Sequence, residues 1–506
     1  MTIADLVEQA SQESVGLSAD ECLKCNICNT VCPVARVSDH FPGPKYVGPQ
    51  AQRFRSGAPL PITSALGALR SPDLTVDWCS GCGWCTTVCP AGVKIAEINN
   101  RARARSRTGH RPRFRDWLLG QTDLLGQLGA PIAPLANWTL GNTLLRTIGE
   151  KTIGIHRNAP VPIYAGGTFR STWRKRGGRV GAPREGAPPP PDRAVVYFHG
   201  CAVNYYEPHV ADAAIDVLTR NGYEVIAPEQ VCCGLPLISN GLYDDARGHA
   251  RRNNAELAKW ARQGYRIVGT STSCTHTLKA EYREMLDVDD EDARAVAEAT
   301  WDICEFLLDL HEHGRLDTGF GRLDEELPYH APCQLRSHGI GLPALELFAL
   351  VPGLRAIDLD YDCCGVAGTY GLKREKYDIA MAVGAELFER IEASQATESA
   401  CDSETCRWQI TAATGKPTRH PVEILAAAYA AAGPCGNQGH SSGSRRGRGS
   451  RARATARLTP HTAGHARPRR WGRRGWLPPC LRPGARRRRR DARATSAYRR
   501  PVERAH

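Results

Sequence analysis

Nowhere in this chain does an apolar run last long enough to cross a bilayer: Ile424 to Ala432, the longest near the C-terminus, reaches about half the required length. No apolar stretch follows Met1-Thr-Ile-Ala-Asp-Leu-Val-Glu either, so no secretory signal is expected. With neither span nor signal, the 20 cysteines of the 506 residues are expected in a reducing cytosol. A dinucleotide loop is also lacking. Gly339-Ile-Gly341-Leu-Pro-Ala344 matches one in part, but it lacks the acidic partner context. Flavin and nicotinamide are therefore expected on a partner, with no flavin in this chain. Finally, most of the chain lacks surplus positive charge. The net charge is +13, but residues 433–506 carry about 21 Arg with only Asp491 and Glu503 as acids, roughly +19, leaving the remainder near −6. Any electrostatic attraction to nucleic acid belongs to that tail alone.

What the chain does have is Cys22-Leu-Lys-Cys25-Asn-Ile-Cys28-Asn-Thr-Val-Cys32-Pro33, repeated as Cys79-Ser-Gly-Cys82-Gly-Trp-Cys85-Thr-Thr-Val-Cys89-Pro90. Three thiolates at two-residue gaps cap neighbouring irons of one cubane, while the fourth, before Pro, points away and serves the other cluster. The spacing predicts one 4Fe–4S cluster on Cys22, Cys25, Cys28 and Cys89, and a second on Cys79, Cys82, Cys85 and Cys32. Zinc modules also use CxxC, but eight cysteines in two full copies of a four-cysteine pattern favour clusters.

The expected fold class is α followed by α/β: a helical two-cluster ferredoxin-like domain, then two tandem α/β cysteine-rich repeats. Residues 1–105 form the two-cluster domain, with helices expected over residues 1–20, from Ile62 to Leu69 and from Val93. Residues 106–192 are a connector. Its first part is apolar from Trp117 and preceded by Arg101, Arg103, Arg105, Arg107, Arg111, Arg113 and Arg115, a pattern suited to touching anionic lipid without crossing it or to packing on neighbouring domains. Its second part is a Gly/Pro linker ending at Pro188-Pro-Pro-Pro191.

Residues 193–320 and 321–432 read as repeats. Cys201, Cys232, Cys233 and Cys274 recur as Cys333, Cys363, Cys364 and Cys406 at an offset of about 132 residues. Each repeat has one Cys after a strand, a Cys-Cys-Gly, and one Cys after a later strand. Adjacent cysteines point in different directions and suit a cluster of several irons, although a four-thiolate zinc site also satisfies this set. Cys304, on the amphipathic stretch from Trp301, is expected to be a core thiol. Ser271 and Ser403 stand where a CxxC would begin, and Cys401 lies two residues upstream of Ser403. Around Cys401 the segment from Ala396 lacks an apolar strand pattern, so the second site is expected to be weakened or differently ligated. Residues 433–506 read as a disordered Arg-rich tail, able to bind nucleic acid or anionic lipid, or as a shifted reading frame.

Two CxxCxxCxxxCP runs followed by two Cys…CysCysGly…Cys repeats resemble the heterodisulfide-reductase-related (CCG-domain) family of iron–sulfur electron carriers, and within it the iron–sulfur subunits of anaerobic glycerol-3-phosphate dehydrogenases. Cys232-Cys-Gly-Leu-Pro-Leu-Ile-Ser-Asn-Gly241, Cys363-Cys-Gly-Val-Ala-Gly-Thr-Tyr-Gly371 and Glu404-Thr-Cys-Arg-Trp-Gln-Ile410 carry the likeness. The resemblance implies an electron-transfer subunit without a substrate-oxidising site of its own. It would receive electrons from a flavin subunit, pass them to membrane quinone, and sit peripherally on the cytoplasmic face. Rival readings are a carrier for a lactate or glycolate dehydrogenase, a thiol/disulfide redox subunit, and a zinc-stabilised scaffold or nucleic-acid-binding protein.

Overall fold

Eight short strands, most of them with buried side chains, build two sheets in the computed structural model, which describes residue 15 and residues 18–55, 75–107, 111–175 and 189–432. The helices expected over residues 1–20 and 62–69 lie wholly or largely outside the described residues, as does the Arg-rich tail. The first sheet holds β1 (Ala194–Phe198), β2 (Glu224–Ile226), β3 (Arg266–Gly269) and β4 (Thr300–Asp302) in the order β2-β1-β3-β4. The second holds β5 (Glu326–His330), β6 (Arg355–Asp358), β7 (Ser399–Cys401) and β8 (Thr418–Arg419) in the order β6-β5-β7-β8. All pairings are parallel. Parallel neighbours require crossovers, and helices such as Pro208–Arg220 and Tyr377–Ala393 supply them. Pro208–Arg220 begins with Pro at its first position and buries Val210, Ala211, Ala214, Val217 and Leu218, one stripe at helical spacing.

The duplication is also one of packing. The first crossover helix of each repeat (Pro208–Arg220, Pro343–Phe348) packs against the last helix of the other (Pro421–Ala431, Ile303–Glu312). One apolar core, including Val210, Leu218, Leu307, Leu347 and Leu425, runs through both repeats. Both last helices start with the same device, a capping box: Asp302 with Glu305, and His420 with Glu423.

Two expectations are corrected. The segment around Cys401 does form a strand: β7 is built from small residues, Ser399, Ala400 and Cys401, all buried between helices. Its apolar pattern is carried by size rather than by Val or Ile. The arginines before the connector are mostly internal clamps rather than a basic surface. Arg101 bonds to the Glu284 carbonyl and Asp287, Arg103 to the Cys79 carbonyl, and Arg115 to Glu375. Of the seven, Arg105, Arg111 and Arg113 are exposed.

Candidate metal centres

Each cysteine run is a backbone wound to aim its sulfurs inward. In the first run Lys24 and Asn26 take positive φ (57° and 72°), and in the second Gly81 and Gly83 take the same turn (72° and 82°). Only glycine adopts this conformation without steric cost. The fourth cysteine of the first run, Cys32, caps the helix Pro33–Val37, accepting from the Ala35 N–H at 3.5 Å with Pro33 at the first helical position.

The eight cysteines lie in two groups. Cys22, Cys25, Cys28 and Cys89 line one cavity. Burial, then Cys22, Cys89 and Cys25, push the Cys28 thiol up to about 11. Cys85 is likewise held well above the usual thiol range by burial, with Cys82, Cys79 and Cys32 around it, and burial pushes Cys32 up to about 12. Four such thiols ionise together only when a cation shares their cavity. That chemistry fits a cluster at each set. The first set lies at the surface, with Cys25 exposed; the second is interior, and Asn99 Nδ2 donates to Cys79 Sγ at 3.9 Å.

Each repeat places its four cysteines after its first three strands. Cys274 and Cys406 sit in the first turns of helices that follow Ser271 and Ser403. Hydrogen bonds from Cys364 and Cys401 hold Cys406 below the usual thiol range. Ser271 is thus a cap rather than a sulfur substitute: it accepts from the Cys274 N–H at 3.4 Å and donates to Glu404 at 2.9 Å. Gly234 and Gly365, both at φ 89°, turn their N–H groups onto Cys232 and Cys363 at 3.5 and 3.3 Å. A Cβ at Gly365 would fall 1.8 Å from the Ala380 carbonyl oxygen, so only glycine fits. Hydrogen bonds from Cys201 and Cys233 hold Cys232 below the usual thiol range, and those from Cys333 and Cys364 do the same for Cys363. Sulfur separations are 3.5 Å for Cys201 to Cys232 and 3.0 Å for Cys364 to Cys406.

The two sets are not separate sites. All eight repeat cysteines line one chamber of about 90 Å³, and so does Cys82 of the second run. Cys82 is partly buried against Cys333 and Cys363, and Ser337 Oγ donates to its carbonyl at 3.2 Å. Some residues outside the predicted set also reach these sulfurs. Thr122 Oγ1 donates to Cys232 Sγ at 3.2 Å from the connector helix Thr122–Gly129, where Asp123 accepts from the Cys232 N–H. Cys401 stands against Cys406. Thr122 carried no sequence signal; Cys401 showed only when the two repeats were aligned. Cys304 is fully buried in the core between the repeats.

A dicluster domain joined to a duplicated cysteine-rich α/β body defines an iron–sulfur protein. Residues 18–93 match the family described as the 4Fe-4S dicluster domain, and residues 195–279 and 327–411 match the cysteine-rich domain. The chain is 36% identical over 419 residues to the C subunit of the anaerobic glycerol-3-phosphate dehydrogenase of Escherichia coli (strain K12), covering 82% of this chain and 99% of that one. It belongs to the family of these C subunits. It is also 27% identical over 377 residues to the B subunit of the fumarate reductase (CoM/CoB) of Methanothermobacter marburgensis, covering 73% of this chain and 63% of that one. A lactate utilization protein A 2 of Bacillus cereus (strain AH820) is 30% identical over 209 residues, 40% of this chain and 83% of that one.

Proposed function

We propose that this chain is the electron-transfer subunit of a flavin dehydrogenase that oxidises glycerol 3-phosphate, delivering electrons to membrane quinone on the cytoplasmic face. Cys22, Cys25, Cys28 and Cys89 would hold one 4Fe–4S cluster, Cys79, Cys82, Cys85 and Cys32 a second, and the two repeat sets further clusters. Bound there, the clusters supply reversible one-electron uptake and release. The chain's own residues hold them and tune them. Donors to sulfur, such as Asn99 at Cys79, Thr122 at Cys232 and the Gly365 N–H at Cys363, raise potential by stabilising the more negative state.

The observation that carries the reading is Cys82, which belongs both to the second four-sulfur set and to the chamber of the repeats. A scaffold would need no such junction. Two features support the direction of flow. Around exposed Cys25, Leu23 and Tyr46 are 71% and 44% exposed, an apolar surface for a flavin subunit. At the other end, Leu128, Ile132, Leu135 and Trp138 are each more than half exposed on the connector helices. Their spacing makes one apolar stripe, on the same segment that places Thr122 on Cys232, and this stripe would rest on the bilayer. Among the described residues no helix is long and apolar enough to cross a membrane.

The test is iron and acid-labile sulfide per chain on anaerobically purified full-length protein, followed by mixing with the flavin subunit and either glycerol 3-phosphate or lactate. Iron clearly above about eight atoms per chain, with cluster bleaching on glycerol 3-phosphate only, is the expected result. Bleaching by lactate instead would favour a lactate carrier, and a colourless protein would end the electron-transfer reading.

A further inference from the structure

The two repeats differ where their inner strands end. In the first sheet Phe198 of β1 pairs with Gly269 of β3. At the same place in the second, His330 of β5 pairs with Cys401 of β7. Residues paired across parallel strands project from the same face of the sheet, so one repeat offers an apolar pair and the other two metal-binding side chains. The first repeat has no room for such a pair: a Cβ at Gly269 would lie 2.6 Å from Thr275 Cγ2.

In the second repeat the imidazole meets no oxygen or nitrogen partner. His330 is 1% exposed, and its ring interacts with the Cys406 sulfur. The neighbouring carboxylate offers no relief, because Asp402 accepts from Tyr329 Oη at 2.6 Å, and Tyr329 projects from the opposite face of β5 to His330. What His330 does face is sulfur: one ring nitrogen, Cys364 Sγ and Cys406 Sγ all lie within 4.8 Å of one another.

We infer that His330 is a nitrogen ligand of the centre held by Cys333, Cys363, Cys364 and Cys406, making the second repeat a mixed nitrogen–sulfur site and the first an all-sulfur one. This rests on the reading that the repeats hold clusters. The counterpart of His330 in the first repeat is Phe198 and not a cysteine, so the imidazole joins the four thiolates without replacing one, and the two centres differ by one neutral donor.

The test is pulsed electron paramagnetic resonance on the anaerobic full-length chain, prepared with natural and with ¹⁵N-labelled histidine, alongside iron, sulfide and zinc content. The expected result is a nitrogen coupling of the size a directly bound imidazole gives, converted to the ¹⁵N pattern by the label, a measurement that needs no variant. His330→Phe, which installs the first repeat's residue, and His330→Gln, which still hydrogen-bonds to sulfur, should both lose the coupling and either lose iron or shift one potential. Iron above about eight with no histidine coupling, or a His330→Gln protein with unchanged iron and potentials, would overturn ligation by His330 alone. Iron near eight with no zinc would overturn metal binding by the repeats, and the inference with it.

Discussion

Asp116 is the residue whose replacement most directly tests how the connector is fixed to the second repeat. Its carboxylate is 2% exposed and bonds to Lys373 Nζ at 2.9 Å, to Arg107 at 3.2 Å and to Arg115 at 3.2 Å. Lys373 is itself 4% exposed. Burial alone would raise the Asp116 pKa, but Lys373, Arg107 and Arg115 together hold it down to about 2 from 3.8. At about 1.4 kcal/mol per unit, the difference contributes roughly 2 kcal/mol of stability. The folded value lies below the unfolded one, so this contribution is present above pH 4 and disappears as pH falls toward 2. Asp116→Asn keeps the shape but leaves Lys373 buried without its counter-charge, a change that costs about 3–5 kcal/mol. The double variant Asp116→Asn with Lys373→Met removes both charges and should recover most of that loss. Urea unfolding of the anaerobic protein at pH 7 and pH 4, for wild type, both single variants and the double, gives the coupling. A loss below about 1 kcal/mol in Asp116→Asn, or additive losses in the double, would refute the claim that this pair clamps the connector to the second repeat.

Gly83→Ala should lower stability by about 1 kcal/mol from its φ of 82° alone, and more because its Cβ would lie 2.3 Å from Ser337 Oγ; adding Ser337→Ala should relieve only the second part, which thermal unfolding can separate. Leu128→Glu with Leu135→Glu should abolish sedimentation with lipid vesicles while leaving the cluster spectrum unchanged. Because most of the neighbouring arginines are internal clamps, wild-type vesicle binding should vary little between zwitterionic and anionic lipid. Gly365→Ala should lose metal from the second repeat, since the new Cβ meets the backbone carbonyl of Ala380 and no rotamer relieves that clash; iron analysis checks this.

Much of this was legible because cysteine spacing and strand order are local and repeated. Cys89 stands beside Cys28 and Cys32 beside Cys85, and β3 falls on Arg266–Gly269 as its apolar text reads. What escaped was either small or distant. β7 is Ser-Ala-Cys, too short and too plain to signal a strand, and β4 is hidden at the start of an amphipathic helix. The arginine series before the connector reads as a basic surface in one dimension. Its burial depends on acids and carbonyls up to 260 residues away, such as Glu375 beside Arg115. The contact of Thr122 with Cys232 spans 110 residues, and no periodicity encodes it.

The chamber of the repeats is set by polar contacts that cross from one repeat to the other, and this bears on how the duplication could diverge. Arg407 and Trp408 of the second repeat both bond to Glu207 of the first, Arg407 with a side chain only 3% exposed. Ser271 of the first bonds to Glu404 of the second. These residues lie within a few positions of Cys201, Cys274 and Cys406, so the sulfurs of the two sites are held to one another rather than to flexible linkers. Breaking one buried partner leaves the other unpaired at a cost of several kcal/mol, which resists drift at the interface. Among the described residues, the side chains at the inner strand ends take no part in these bonds. Phe198 and Gly269 on one side, and His330 and Cys401 on the other, are exchangeable within an unchanged frame. A duplicated scaffold of this kind lets the donor set of one centre change while the separation between centres stays fixed, and a shared chamber with chemically distinct walls is the outcome.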